Sequence, residues 1–131
     1  MNVSSGQAGP VRTWTLEEAT EALPRVRKLV EQIQDLSNSY REGLRETAAR
    51  ARGNGHGSGG DQRPLREAME ELVGEGIVLR DPAQGLIDFP ALSATGRRYW
   101  LCWLAGEPEI GWWHWAHEGF AKRKPLSQPP A

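Results

Sequence analysis

The sequence predicts an α+β domain in which an antiparallel helical hairpin, its first helix long, packs on a small four-stranded antiparallel meander. Three observations carry this. Apolar residues recur at steps of three and four from Leu16 to Leu44, which marks one helical stripe. A shorter run with the same period follows between Asp61 and Gly76. Beyond Gly76 come short runs rich in β-formers, separated by turn residues and by links too short for crossover helices.

Residues 1–12 are small, polar and Gly/Pro-containing, and read as a disordered leader without the basic and apolar regions of a secretion signal. Thr15 is placed to cap the first helix, Glu17 and Glu18 favour its positive end, and Trp14 is placed to staple onto its first turn. The stripe then runs Leu16, Ala19, Leu23, Val26, Val30, Ile33, Tyr40 and Leu44. Pro24 falls inside it, so the expectation is a short first helix, a bend near Pro24, and a long helix from about Pro24 to about Arg50. Residues 53–60 form a glycine-rich linker. In the second helix Pro64 suits the first turn, Leu65, Ala68, Met69, Leu72 and Val73 make one face, and Gly74 and Gly76 end it.

The strands are expected at Ile77–Leu79, Gly85–Phe89, Arg97–Leu104 and Glu109–Trp115, with Pro90 ending the second. Residues 13–126 make one domain, and 127–131 read as a frayed, disordered tail. Between residues 97 and 126 lie five of the six tryptophans and the single cysteine. Large rings left in water forfeit roughly 1.5–3 kcal/mol each, so this segment belongs to the core or to the wall of a pocket.

Charge excludes some roles. Basic and acidic residues nearly cancel, at 16 and 17, and neither half of the chain is a cationic arm, so nucleic-acid binding is disfavoured. One cysteine makes no internal disulfide, and no apolar run spans a membrane, which leaves the cytoplasm as the expected compartment.

Several spaced motifs carry a resemblance: Thr-Leu-Glu-Glu-Ala before Leu23-Pro24-Arg25, the Gly85–Ala91 segment GLIDFPA, Leu101-Cys102-Trp103, Gly106-Glu107, Trp113-His114, and Gly119-Phe120 with Arg123 and Pro125-Leu126. Together they resemble an uncharacterised bacterial family, domain of unknown function 2203, over about residues 13–126. The resemblance implies a small bacterial cytoplasmic protein and brings no activity with it.

Alternation in the third strand places Tyr99, Leu101 and Trp103 on one face and Arg98, Trp100, Cys102 and Leu104 on the other. In the fourth, Trp112 and His114 share a face opposite Trp113 and Trp115, with the register between the two strands open. The candidate ligand-binding residues are Asp88, Trp100, Trp112, Trp113, His114, Glu118 and Arg123. His114 leads, because a wall of tryptophan favours neutral imidazole. Its structural alternative is a bond to Glu118 or Asp88. Asp88 needs a cationic partner, with Arg97, Arg98 and Arg123 at hand. Cys102, Glu107, His114 and His117 form a candidate set for a transition metal, although their spacing matches no standard site. Cys102 otherwise reads as a buried small hydrophobe. No cofactor is assigned and no catalytic spacing is found. The expected function is a non-enzymatic interaction module, a homodimer through the long helix or a dock for another protein; the alternative is a small-ligand or metal site at the Trp/His-rich hairpin. Dissociation to a monomer by Val30→Asp or Ile33→Asp would mark the first, and loss of ligand from a folded His114→Ala the second.

Overall fold

The computed structural model describes residues 12–51 and 61–131, so the expected linker and nearly all of the expected leader lie outside the described residues. The chain forms α1 (Leu16–Ala51), α2 (Arg63–Gly74), β1 (Val78–Asp81), β2 (Leu86–Leu92), β3 (Arg98–Leu104), β4 (Trp112–Trp115), a 3-10 turn (Phe120–Lys122) and β5 (Lys124–Pro125). The α+β class and the long first helix agree with the sequence reading.

The start of α1 is a reciprocal cap. Glu18 N–H donates to Thr15 Oγ1 and Thr15 N–H donates to Glu18 Oε1, each at 3.0 Å. The helix then runs unbroken through Pro24, which corrects the expected division into a short and a long helix. Pro24 lies on the exposed face, and the carbonyl it leaves without a donor belongs to Thr20, a residue exposed to solvent. Ala19, Leu23, Val26, Val30 and Ile33 are all buried in the core. At 36 residues α1 is about 54 Å long against about 18 Å for the 12 residues of α2.

The end of α2 is closed by Ile77 N–H returning to Leu72 O at 3.1 Å and Gly76 N–H to Val73 O at 2.9 Å, with Gly76 at φ 78°. That pattern needs the left-handed residue glycine provides, and it brings Leu72 and Ile77 together in the core. Val73, expected on the apolar face, is 68% exposed. Helix α2 packs chiefly on α1 and β1, so it buries a narrower stripe than the sequence pattern offered.

The sheet has strand order β1-β2-β3-β4-β5, every neighbouring pair antiparallel. It is the expected meander with one strand more: β5 pairs on β4 through Trp112↔Pro125 and Trp113↔Lys124. Pro90 continues β2 rather than ending it. Pro90 O accepts from Trp14 N–H at 2.6 Å on the side where β1 has already ended, so the missing proline donor falls on an edge. Trp14 itself enters the core, 5.2 Å from the Phe89 ring centre, with its Nε1–H on Glu75 O at 3.1 Å.

Face assignment follows from alternation. Ile87, Phe89, Ala91, Leu101 and Trp103 point into the helix-side core. Gly85 marks the tightest helix–sheet approach: at φ 74°, an added Cβ would lie 2.7 Å from Ala105 Cβ and 2.9 Å from Val30 Cγ1. The opposite face carries the candidate site.

Candidate functional site

The register left open by the sequence is Cys102↔Trp112 and Trp100↔His114. Cys102, Trp112 and His114 therefore share the face turned away from the helices. Asp88 sits opposite Cys102 across the β2–β3 pair. Val78 faces Asp88 across β1–β2, and two residues on, Arg80 reaches over the same face. The segment after β4 supplies the outer wall of a cavity of about 390 Å³, lined among others by Arg80, Asp88, Cys102, His114, His117 and Glu118.

At its inner end lies a charged cluster. Asp88 Oδ2 accepts from Arg80 Nε–H at 2.9 Å and from His114 Nε2 at 3.1 Å. His114 Nδ1 donates to Trp115 O at 3.0 Å. Both ring nitrogens thus face acceptors, an arrangement that matches imidazolium. Burial opposes that charge, but the hydrogen bond and charge of Asp88, with the carbonyls of Trp115 and Glu118, raise the His114 pKa above its usual value. The expected preference for neutral imidazole is reversed, because the tryptophan wall contains a carboxylate. Asp88 and His114 are each 2% exposed. Asp88 Oδ1 has no hydrogen-bond partner among the described residues.

Cys102 completes the inner wall. Its thiol is fully buried and pushed up to about 12 by burial and by the Asp88 charge, against the pull of Arg123 Nη1 at 3.8 Å from Sγ. In that state it is protonated and no nucleophile, in line with the hydrophobe reading. One ligand atom each from Asp88, Cys102 and His114 lies within 4.8 Å of the others.

Other candidates fall elsewhere. Glu107 is pinned by Arg123 Nη2 at 2.6 Å and by Leu104 N–H at 2.9 Å, outside the three-residue cluster and joined to it only through Arg123. His117 lines the cavity but is exposed. Glu118 also lines it, accepting from Lys124 Nζ at 2.7 Å and Trp115 N–H at 3.1 Å; the lysine bond first, then the amide, hold its carboxyl below the usual range. Trp100 and Trp112 share the site face and stack with cations, Trp100 with Arg80 at 4.8 Å and Trp112 with Arg123 at 4.6 Å. Trp113 is on the opposite face, buried, with Nε1–H on Gln128 O at 2.8 Å. Residue 128 belongs to the segment expected to be a frayed tail.

None of the arginines proposed for Asp88 is its partner. Arg97 stacks over Trp115 at 3.8 Å, Arg98 is exposed, and Arg123 pairs with Glu107. Arg80 takes the role. It was missed because the first strand was ended at Leu79; extending the alternation from Val78 would have found it.

Fold and site define a small α+β domain with a buried Asp–Cys–His cluster at the base of a cavity. Residues 12–126 match the model of the family described as Uncharacterized conserved protein (DUF2203), and the chain belongs to that family. No curated protein and no solved structure matches it. Among the described residues no helix is long and apolar enough to cross a membrane.

Proposed function

We propose that the protein is a ligand-binding module whose site is the cavity over Asp88, Cys102 and His114. The observation that carries this is Asp88 Oδ1, a buried carboxylate oxygen without a partner among the described residues, on a residue that lines an open cavity. Such an atom costs about 1–3 kcal/mol or more when left unmet, and a ligand bearing a hydrogen-bond donor or a positive charge relieves it. His117 and Glu118 at the rim add polar groups that orient the ligand. A bacterial cytoplasmic setting suits the buried, reduced thiol. The test is native mass spectrometry of gently purified protein. A bound mass in the wild type that Asp88→Asn lacks supports the reading, and a wild type with nothing bound, even after exposure to a small-molecule and metal library, sinks it.

Self-association is the second reading, favoured by the free end of α1. The start of α2 is held at Tyr40 by Gln62 Nε2, and beyond it the α1 stripe continues to Leu44, 44% exposed. A second copy laid along this overhang covers it in coiled-coil fashion. Val30 and Ile33 are fully buried within one chain, so aspartate at either position would unfold it rather than part a dimer. Leu44→Glu is the appropriate variant: light scattering should report a dimer that it converts to monomer, and a monomeric wild type ends this reading.

A further inference from the structure

We infer that the inner end of the cavity is a site for a divalent transition metal of the zinc type, held by Asp88, Cys102 and His114 with a fourth position open to the cavity. This deepens the ligand-binding reading and rests on it.

Four observations converge. The donor set of carboxylate, thiolate and imidazole is one that zinc accepts. Bonds of about 2.0–2.2 Å at a tetrahedral angle hold nitrogen and oxygen ligands about 3.3 Å apart; His114 Nε2 and Asp88 Oδ2 stand 3.1 Å apart. All three donors lie within 4.8 Å of one another, so closing on one ion asks for a contraction of about 1 Å. The outer contacts are also those of a ligand shell. His114 gives its other ring nitrogen to Trp115 O at 3.0 Å, which fixes Nε2 as the coordinating atom, and Arg80 braces the carboxylate at 2.9 Å. The fourth observation is the unmet Asp88 Oδ1, which an ion pair with His114 and Arg80 through Oδ2 leaves unexplained and a cation held by both carboxylate oxygens satisfies.

Loading displaces two protons to solvent and involves no change of oxidation state. The Cys102 thiol becomes a metal thiolate, and His114 loses its Nε2 proton while keeping Nδ1–H on Trp115 O. Three protein ligands beside a cavity leave one coordination position for water or a small ligand, the pattern of open rather than purely structural zinc sites. Of the metal ligands expected from sequence, Cys102 and His114 take part; Glu107 is committed to Arg123 and is replaced by Asp88.

The experiment uses the full chain, stripped with chelator and titrated with Co²⁺, then with competing Zn²⁺. The expected result is one ion per chain, a near-ultraviolet cobalt–thiolate charge-transfer band, and its loss on adding zinc. Cys102→Ser should abolish the band while circular dichroism shows a folded protein. Asp88→Asn and His114→Gln should raise the cobalt Kd at least about tenfold, whereas Glu107→Gln should leave the band in place. Absence of the band in the wild type, or zinc binding unchanged by Cys102→Ser, overturns the assignment. If no band forms but an Asp88-dependent small molecule is retained, the metal falls and the cavity reading stands; if neither is seen, both fall.

Discussion

The pair Asp88–His114 allows a quantitative check of the site's electrostatics in metal-free protein. Asp88 is 2% exposed and shares one oxygen between His114 and Arg80, but the two donors are not equivalent, because the Arg80 side chain is 42% exposed. Removing one member of a buried ion pair costs about 3–5 kcal/mol. Since Arg80 remains on Asp88, His114→Gln is expected at the lower end, about 3 kcal/mol. Asp88→Asn keeps the side-chain shape, lets His114 go neutral and should cost about 1–3 kcal/mol. Arg80→Gln, which removes a solvent-screened contact, should cost about 1 kcal/mol or less. The double variant Asp88→Asn/His114→Gln leaves no uncompensated charge, so it should fall short of the sum of the single changes by about 1–2 kcal/mol. Urea unfolding with chelator present gives all of these values. Additivity within about 0.5 kcal/mol, or Arg80→Gln costing more than His114→Gln, would refute the reasoning.

Other outcomes follow from the same coordinates. Gly85→Ala combines a left-handed backbone, worth about 1–2 kcal/mol for an L side chain, with overpacking against Val30 and Ala105, worth about 1–3 kcal/mol; a loss of about 2–5 kcal/mol is expected in denaturant titration, and a neutral substitution would mean helix and sheet are not in contact there. Val30→Asp puts a charge at a position with no exposure and should yield an unfolded chain by circular dichroism rather than a folded monomer. Arg25, through its hydrogen bond, holds the Glu75 carboxyl below its usual range against the opposing effect of burial. That pair stabilises the fold above the ordinary carboxylate pKa and ceases to as pH falls through the lowered one. Wild type should therefore exceed Glu75→Gln by up to about 1 kcal/mol at neutral pH, a small value because Arg25 is 54% exposed, and the gap should close in acid.

What could be read from the sequence was whatever depends on local period and local chemistry. The stripe of α1, its Thr15 cap, the glycine end of α2 and the faces of β3 follow from spacing within one segment. What escaped depends on partners distant in the chain. Strand β5 is only Lys124 and Pro125, and its pairing is defined by Trp112 and Trp113 rather than by any strand propensity of its own. Pro90 looks like a strand terminator until Trp14 is seen to take its carbonyl on an unpaired edge. His114 was identified as the leading site residue, but its charge preference was not, because the sequence shows the tryptophans beside it and hides the carboxylate opposite. Arg123 meets Glu107 rather than Asp88 for the same reason: each is a carboxylate, and only tertiary structure says which one the guanidinium reaches.

Strand β2 offers the sharpest argument that this cluster is functional. Asp88 is flanked by Ile87 and Phe89, both fully buried on the helix side, so one residue of register slip would drive the carboxylate into an apolar core. Stability alone does not ask for a charge there, since well-packed apolar residues in place of a buried ion pair are often neutral or stabilising by about 1–4 kcal/mol. A chain optimised only to fold would do as well with aliphatic side chains at 88 and 114. The double variant Asp88→Leu/His114→Leu separates the two purposes. Its denaturant midpoint should match or exceed that of the metal-free wild type, while cobalt binding and ligand retention are lost together. If instead it unfolds while conservative single variants stay folded and ligand-free, the cluster is part of the scaffold and the cavity above it has no tenant.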